Sequence, residues 1–426
     1  MITAQGRGLS TWPRVHDQNA GNRNIASRIY CQERKCSDRV IGRRRSNFGN
    51  CQVLGAGLGS EGFGVACRSG IQDDTIRTSG LNIAPKMSVL VADIGGTNCR
   101  FQLWELDKYL RPTMMAKEQI YPTQDYERFD DALKEFLLLE EVAMNPPKAA
   151  AFACAGPVKN NRCTFTNLKW VVDKKEVEKK FGIVCRVLND FEAIGYGVTT
   201  LGSHEILTLH DVPGEKQGPI AVLGPGTGMG QAQLFWDDST GNYKVHPSEG
   251  SHSTFAPRGY KQRALQARVE AERGHCSVER VGCGSGLVRI YDFLHSDEPS
   301  NRPNSMPMED ATPASISIAA LDGSDPVASE ALDMFLSIIG AEASHMALRG
   351  LTTGGVYIAG GILPKVIDRV TAGGVLEAFL WKASRFHEKV LKYIPLHVVL
   401  EERVGLMGTR EIAIQLVQQH QTIEEV

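Results

Sequence analysis

Two glycine turns and four carboxylates are the places where this sequence can do chemistry. The first turn, Asp93-Ile94-Gly95-Gly96-Thr97-Asn98, lies between the unbroken apolar run Leu90 to Ala92 and a second run through Phe101 and Leu103. Gly95-Gly96 lets the backbone bend where a side chain would clash, and Asp93, Thr97 and Asn98 supply polar groups at the bend. Such a loop either holds a phosphate or is an ordinary hairpin turn. The second turn, Gly224-Pro225-Gly226-Thr227-Gly228-Met229-Gly230, follows Pro219 to Leu223. It has no Gly-Lys-Ser/Thr and no Rossmann spacing. Its backbone amides can still cradle phosphate oxygens.

Asn189-Asp190 ends the run Cys185-Arg186-Val187-Leu188, just before a segment that looks helical. Carboxyl ends of strands are where open α/β folds present their chemistry. One member of the pair can instead cap the helix, and an adjacent pair can do both. Glu249 and His252 stand among small residues in Pro247-Ser248-Glu249-Gly250-Ser251-His252. Three readings are open for them: metal ligation, structure, or hydrogen bonding to a polar ligand. Glu279, before Gly282-Cys283-Gly284-Ser285-Gly286-Leu287, is unremarkable by itself.

These residues need elements to hold them. Leu90 to Ala92 reads as a central strand covered on both faces, and Phe129, Leu133, Phe136 and Leu137 recur at helical spacing. Ala149 to Ala155 reads as a strand stopped by Gly156-Pro157. Tyr260 to Arg273 and Glu330 to Leu348 read as helices, with a loop from Gly282 opening a further helix from Val288. Ser296 to Asp325, rich in Pro, Ser, Asn and Asp, reads as a surface excursion. Gly355 to Ile362 is a strand ending in paired glycines, Gly360 and Gly361. Ile394 to Leu400 is the last strand, and Gly405 to Gln419 a terminal helix. Two strand-turn-strand units of one type point to two related halves.

With 426 residues and 42% hydrophobic side chains, the chain can fill two domain cores. A net charge of -2 gives no general reason to expect nucleic acid or an anionic membrane as partner. No uninterrupted apolar stretch is long enough for a bilayer. The 10 cysteines show no metal spacing, and reduced thiols are expected. Residues 1–86 differ from the rest: 13 Lys/Arg face 6 Asp/Glu, with Arg43-Arg44-Arg45 as a cluster and poor periodicity. They read as a poorly structured extension, compatible with a transit peptide or with an upstream segment of no function. Gly57-Leu58-Gly59-Ser60-Glu61-Gly62 matches the dinucleotide fingerprint but has neither the strand nor the helix that a working copy needs.

Six motifs in fixed order carry a resemblance. Asp93 to Asn98, Leu188-Asn189-Asp190-Phe191, Gly224 to Gly230, Glu249-Gly250-Ser251-His252, Glu279-Arg280-Val281 and Ile358-Ala359-Gly360-Gly361-Ile362 resemble the signature series of bacterial-type glucokinase. The similarity runs from about Met87 to the C-terminal helix. It implies an α/β protein of the actin-like ATPase (ribonuclease H-like) fold, two lobes flanking a cleft. A small lobe of residues 87–200 would be joined by helix 405–426, and a large lobe would span 201–404. The implied reaction is transfer of the γ-phosphoryl group of ATP, with Mg²⁺, to the 6-hydroxyl of glucose.

By that resemblance Asp190 is the general base. Asn167, Asn189, Asp190, Glu249, His252 and Glu279 hold the sugar. Asp93, Gly95, Gly96, Thr97, Asn98, Gly226, Thr227, Gly228, Gly360 and Gly361 surround ATP, and Asp93 approaches Mg²⁺ through water. A cytoplasmic homodimer is implied, organellar if residues 1–86 act as a transit peptide. Another hexose kinase, a polyphosphate- or ADP-dependent enzyme, and a catalytically silent sugar sensor are the alternatives. Ser248 and Ser251 stand where the family commonly has glycine, Pro225 lies inside the second turn, and Cys283 replaces a more usual serine. All are small or turn-compatible and read as divergence.

Overall fold

The computed structural model describes residues 87–115, 117–165, 168–297 and 305–424. The extension, the fingerprint at Gly57 to Gly62 and Asn167 lie outside these. The described residues all fall in one compact unit.

Two six-stranded sheets organise that unit. The first contains β1 (Met87–Ile94), β2 (Asn98–Leu106), β3 (Pro112–Met114), β4 (Gln119–Pro122), β5 (Ala149–Cys154) and β9 (Val184–Asn189). Its order is β3-β2-β1-β5-β9, with β4 also on β2. Between β5 and β9 the chain forms a small antiparallel sheet, β6 (Val158–Lys159), β7 (Arg162–Thr164) and β8 (Val171–Asp173). The second large sheet contains β10 (Ile206–His210), β11 (Ile220–Pro225), β12 (Met229–Asp237), β13 (Asn242–Ser248), β14 (Gly355–Ile358) and β15 (Leu396–Val399). Its order is β10-β15-β14-β11-β12-β13.

The sheets share a plan. β1 pairs antiparallel with β2 and parallel with β5, which is parallel to β9. Likewise β11 pairs antiparallel with β12 and parallel with β14, which is parallel to β15. The duplication expected from the two turns is therefore present as topology.

Twelve helices cover the sheets among the described residues: α1 (Phe129–Leu137), α2 (Glu140–Met144), α3 (Lys174–Phe181), α4 (Asp190–Val198), α5 (Gly259–Arg273), α6 (Val278–Gly282), α7 (Gly284–Asp297), α8 (Pro313–Asp322), α9 (Pro326–Gly350), α10 (Ile367–Thr371), α11 (Gly374–Leu380) and α12 (Val404–Glu424). Period-two alternation sends each central strand into two cores. Leu90, Ala92 and Ile94 of β1 join Phe129, Leu133 and Phe136 of α1, while Val89 and Val91 join residues of α4 and α12. Ile220 and Val222 of β11 enter that same middle core, and Ala221 and Leu223 face α7 and α9. Val89 to Ala92 of β1 are all apolar because both faces of the strand are covered there.

Helices α4 and α12 approach so closely that a Cβ on Gly408 would stand 1.8 Å from the Ala193 carbonyl oxygen. α9 is long and apolar enough to cross a membrane, but most of it is buried among α7, α8, α11 and β11.

Three sequence expectations need correction. Ser296 to Asp325 is not a continuous excursion, because α8 forms within it. Thr312 Oγ1 accepts from Ser315 N (3.0 Å), Ser315 Oγ accepts from Thr312 N (2.8 Å), and Pro313 opens the helix. Gly282 to Leu287 is not a loop, since Glu279 lies on α6 and α7 already begins at Gly284. A Cβ on Gly286 would stand 2.6 Å from the Val281 carbonyl carbon, so this glycine serves close packing rather than bending. Gly95 and Gly96 do not relieve a clash either. Neither has positive φ, and a Cβ on Gly96 would meet nothing within 4 Å.

Candidate active site

β9 delivers Asn189 and Asp190 to the start of α4. Asn189 takes the capping role. Its Oδ1 accepts from Phe191 N (2.9 Å) and Glu192 N (3.3 Å), and its Nδ2 donates to the Gly156 carbonyl (3.2 Å). With the cap supplied by its neighbour, the Asp190 carboxylate lies on a cavity of about 710 Å³. Burial pushes the Asp190 pKa up to about 6. The Phe191 N–H, donating to Oδ1 at 2.9 Å, partly opposes that, and the charge of Asp93 adds to it.

Both sheets contribute to the cavity. Asp93 is the penultimate residue of β1, Thr227 sits in the second glycine turn, and Gly360-Gly361 follow β14; all four line it together with Asp190. Phe191 holds these parts together, its ring packing where Cβ atoms on Gly224 and Gly230 would stand. Gly360, with φ of 98°, fits beneath the second turn, where a Cβ would lie 2.6 Å from Pro225 O. The turn is braced by Gly226 N donating to Gly228 O and Gly284 N donating to Gly226 O, each at 2.8 Å. By contrast, Cβ atoms on Gly96 and Gly361 would meet open space. Close approach by a ligand is what such bare backbone permits.

Asp93 faces Arg100, which stands directly across the hairpin register and donates to Asp93 Oδ2 at 3.3 Å. Although 34% of the Asp93 side chain is exposed, burial is the largest influence on it and raises its pKa; Arg100 works the other way. The rest of the first turn is held by its own backbone and by Thr123. Gly95 N donates to Asn98 O (2.9 Å), Thr123 N donates to Thr97 O (2.9 Å), and Thr123 Oγ1 donates to Gly96 O (2.8 Å).

Glu249, His252 and Glu279 form a second cluster outside the lining of that cavity. His252 lies 3.5 Å from Glu249 Oε2 and 3.7 Å from Glu279 Oε1. Glu279 Oε2 accepts from Met229 N at 3.0 Å, and a Cβ on Gly228 would stand 2.8 Å from the same oxygen. The second turn therefore joins this cluster to Thr227 and the cavity. No grouping of three or more metal-ligating side chains occurs among the described residues. Glu249 and His252 are left with hydrogen-bonding capacity, their side chains 84% and 57% exposed.

The sequence profile of the family described as Glucokinase matches residues 90–416. Over 353 residues the chain is 33% identical to a glucokinase of Synechocystis sp., covering 77% of this chain and 98% of that one. The chain belongs to the glucokinase family. A glucokinase of Nostoc sp. is 34% identical over 348 residues, covering 77% of this chain and 99% of that one. The crystal structure of a glucokinase from an Antarctic psychrotroph superposes with a TM-score of 0.67 at 28% identity, covering 76% and 98% of the two chains.

Membership makes the chain a hexose kinase with the actin-like ATPase fold, which phosphorylates glucose with ATP. A catalytically silent sensor is not favoured. The sequence motifs did not include Arg100, Lys365 or Arg403, which also line the cavity. Arg100 had a signal, since a hairpin closing on Asp93 to Asn98 sets it opposite Asp93. Lys365 lies on a single 3-10 turn, Leu363–Val366, and Arg403 directly precedes α12, with no periodicity to distinguish either.

Proposed function

We propose that Asp190 is the general base of this kinase and that glucose lies between it and the Glu249–His252–Glu279 cluster. The observation that carries this reading is Asp190 itself: a strand-end carboxylate beside the capping Asn189, accepting from Phe191 N at Oδ1 and lining one cavity with Thr227, Gly360 and Gly361 of the other sheet's turns. With a pKa near 6 it is ionised at neutral pH yet basic enough to take a proton. Its Oδ accepts the 6-hydroxyl proton as that oxygen attacks the γ-phosphorus, and the bond to the β-γ bridging oxygen breaks to release ADP. General-base assistance contributes roughly 10² to 10⁴ in rate. Alignment and electrostatic stabilisation supply the larger share.

Hexose recognition follows from the donor and acceptor types. Glu249 and Glu279 accept from hydroxyls, His252 does either at one ring nitrogen, and Asn189 retains an amide N–H. Asn167 joins them by family resemblance. A site built to pair each hydroxyl discriminates against sugars lacking one, because a buried partner is then left unmatched.

Asp93, Gly95, Gly96, Thr97 and Asn98 on one side, and Gly226, Thr227, Gly228, Gly360 and Gly361 on the other, are assigned to ATP. Asp93 would hold Mg²⁺ through water: it is a hard oxygen donor whose burial Arg100 only partly offsets. When bound, the ion neutralises phosphoryl charge. Residues 87–200 with helix 405–426, and residues 201–404, are assigned to the two lobes. Their closure on the sugar would exclude water as a competing nucleophile. A cytoplasmic homodimer is proposed on the resemblance alone; cell fractionation and light scattering read it.

Asp190→Asn tests the assignment in a coupled ATP/glucose assay with calorimetry for glucose. Turnover falls at least 100-fold while glucose binding persists. Near wild-type turnover overturns the role.

A further inference from the structure

A buried carboxylate on the core helix reaches the sugar cluster through one intervening side chain. Glu342, on α9, is buried to 2% exposure. Its Oε1 accepts from Gln231 Nε2 at 3.0 Å and lies 3.4 Å from Arg349 Nη1, while His345 Nδ1 is 3.1 Å from Oε2. Gln231, 3% exposed, is the first residue after the second glycine turn. Its amide oxygen points at the turn that bears Glu249 and His252. A Cβ on Gly250 would stand 2.4 Å from Gln231 Oε1.

Each contact narrows the freedom of the next. A buried amide has two faces, and a flip would set its NH₂ against Gly250 and its oxygen against the Glu342 carboxylate. Two acceptors facing one another in a buried place is strongly unfavourable, so Glu342 fixes which way Gln231 points. With the oxygen fixed, Gly250 packs against it without a side chain. Gly250 N is held from the other side by Ser248 Oγ at 3.0 Å, and Ser248 is the register partner of Gln231 across β12 and β13. The single helical turn Gly250–His252 is thereby seated on the sheet, with Glu249 before it and His252 at its end. Both of those side chains are exposed, and neither has a strong partner of its own to fix the backbone that carries it.

We propose that Gln231 and Glu342 are positioning residues for hexose binding: they orient the Glu249–His252 turn without touching the sugar. This rests on the assignment of Glu249 and His252 to the sugar. Gln231 also follows directly from the phosphate turn, so a general distortion would affect ATP as well; orientation of the Gly250 turn affects glucose alone.

The test compares glucose KM, ATP KM, kcat and Tm for Gln231→Ala, Glu342→Gln, Glu342→Ala and Glu249→Ala in the full chain. Gln231→Ala and Glu342→Ala raise glucose KM about tenfold, with ATP KM within twofold of wild type. Glu342→Gln, which keeps an oxygen for Gln231 Nε2, recovers most of that loss. A merely structural role lowers Tm and leaves both KM values alone, and that result overturns the proposal. If Glu249→Ala raises glucose KM while the Gln231 and Glu342 variants do not, positioning fails and the sugar assignment stands. Should Glu249→Ala leave glucose KM unchanged, the sugar assignment falls and the proposal with it. If the alanine variants do not fold, Glu342→Gln decides by itself: a glucose-selective KM rise of two- to threefold supports the proposal, and wild-type values overturn it.

Discussion

The ring of Phe191 occupies the space in which a side chain at Gly230 would stand: a Cβ there would lie 2.0 Å from Phe191 Cδ2. Phe191 follows Asp190 in the chain and Gly230 closes the second glycine turn, so this contact couples the proposed base to that turn.

Gly230→Ala is accordingly expected to move Asp190. The ring has little slack, because its far edge already packs against Gly224, where a Cβ would lie 2.4 Å from Phe191 Cζ. Overpacking of this kind costs about 1–3 kcal/mol, and a shift of about 1 Å in a reacting group lowers kcat about 100-fold. Thermal unfolding together with steady-state turnover reads both. An alanine variant with unchanged kcat would show that the two sides are not coupled.

The pH profile follows from Asp190. A base must be ionised, so kcat/KM should fall on the acid side through a pKa near 6. The sign for stability is opposite. Because the folded pKa lies above the ordinary 3.8, the folded state holds the proton more tightly, and ionised Asp190 destabilises the fold above about pH 6. That cost shrinks as pH falls towards 4 and is absent below it. A shift of about two units corresponds to about 3 kcal/mol. Asp190→Asn should therefore stabilise the sugar-free protein at pH 7.5 by up to that amount and have little effect at pH 4. Urea unfolding at the two pH values measures it, and equal effects at both would contradict the burial argument.

Gly360 and Gly361 are adjacent but should fail differently. Gly360 has φ of 98° and no room for a Cβ, so Gly360→Ala should lower stability by about 1–3 kcal/mol. Gly361 has ordinary φ and open space, so Gly361→Val should keep the wild-type Tm and raise ATP KM instead. A drop in Tm for Gly361→Val would place that backbone in the scaffold rather than at the nucleotide.

Asp93 provides the metal test. Chelation of divalent cations should stop turnover while calorimetry still registers glucose. Asp93→Ala should raise the Mg²⁺ concentration for half-maximal rate about tenfold, with glucose KM unchanged. An unaltered Mg²⁺ response would remove Asp93 from the metal's surroundings.

Local pattern determined much of this in the sequence. The apolar run of β1, the glycine turns and the strand-end position of Asp190 depend on alternation and turn chemistry, which act over a few residues. Motif order carried the family, and the repeated turn already indicated two sheets of one plan. What each glycine is for was decided only by the fold. Gly230, Gly286 and Gly360 give way to Phe191, Val281 and Pro225, whereas Gly96 and Gly361 border open space. In sequence all five are equally small. The same holds for Glu342 and Gln231, which lie 111 positions apart and meet only because α9 packs against the second sheet. A buried hydrogen bond has no period and no spacing, so the chain must fold before its partners can be named.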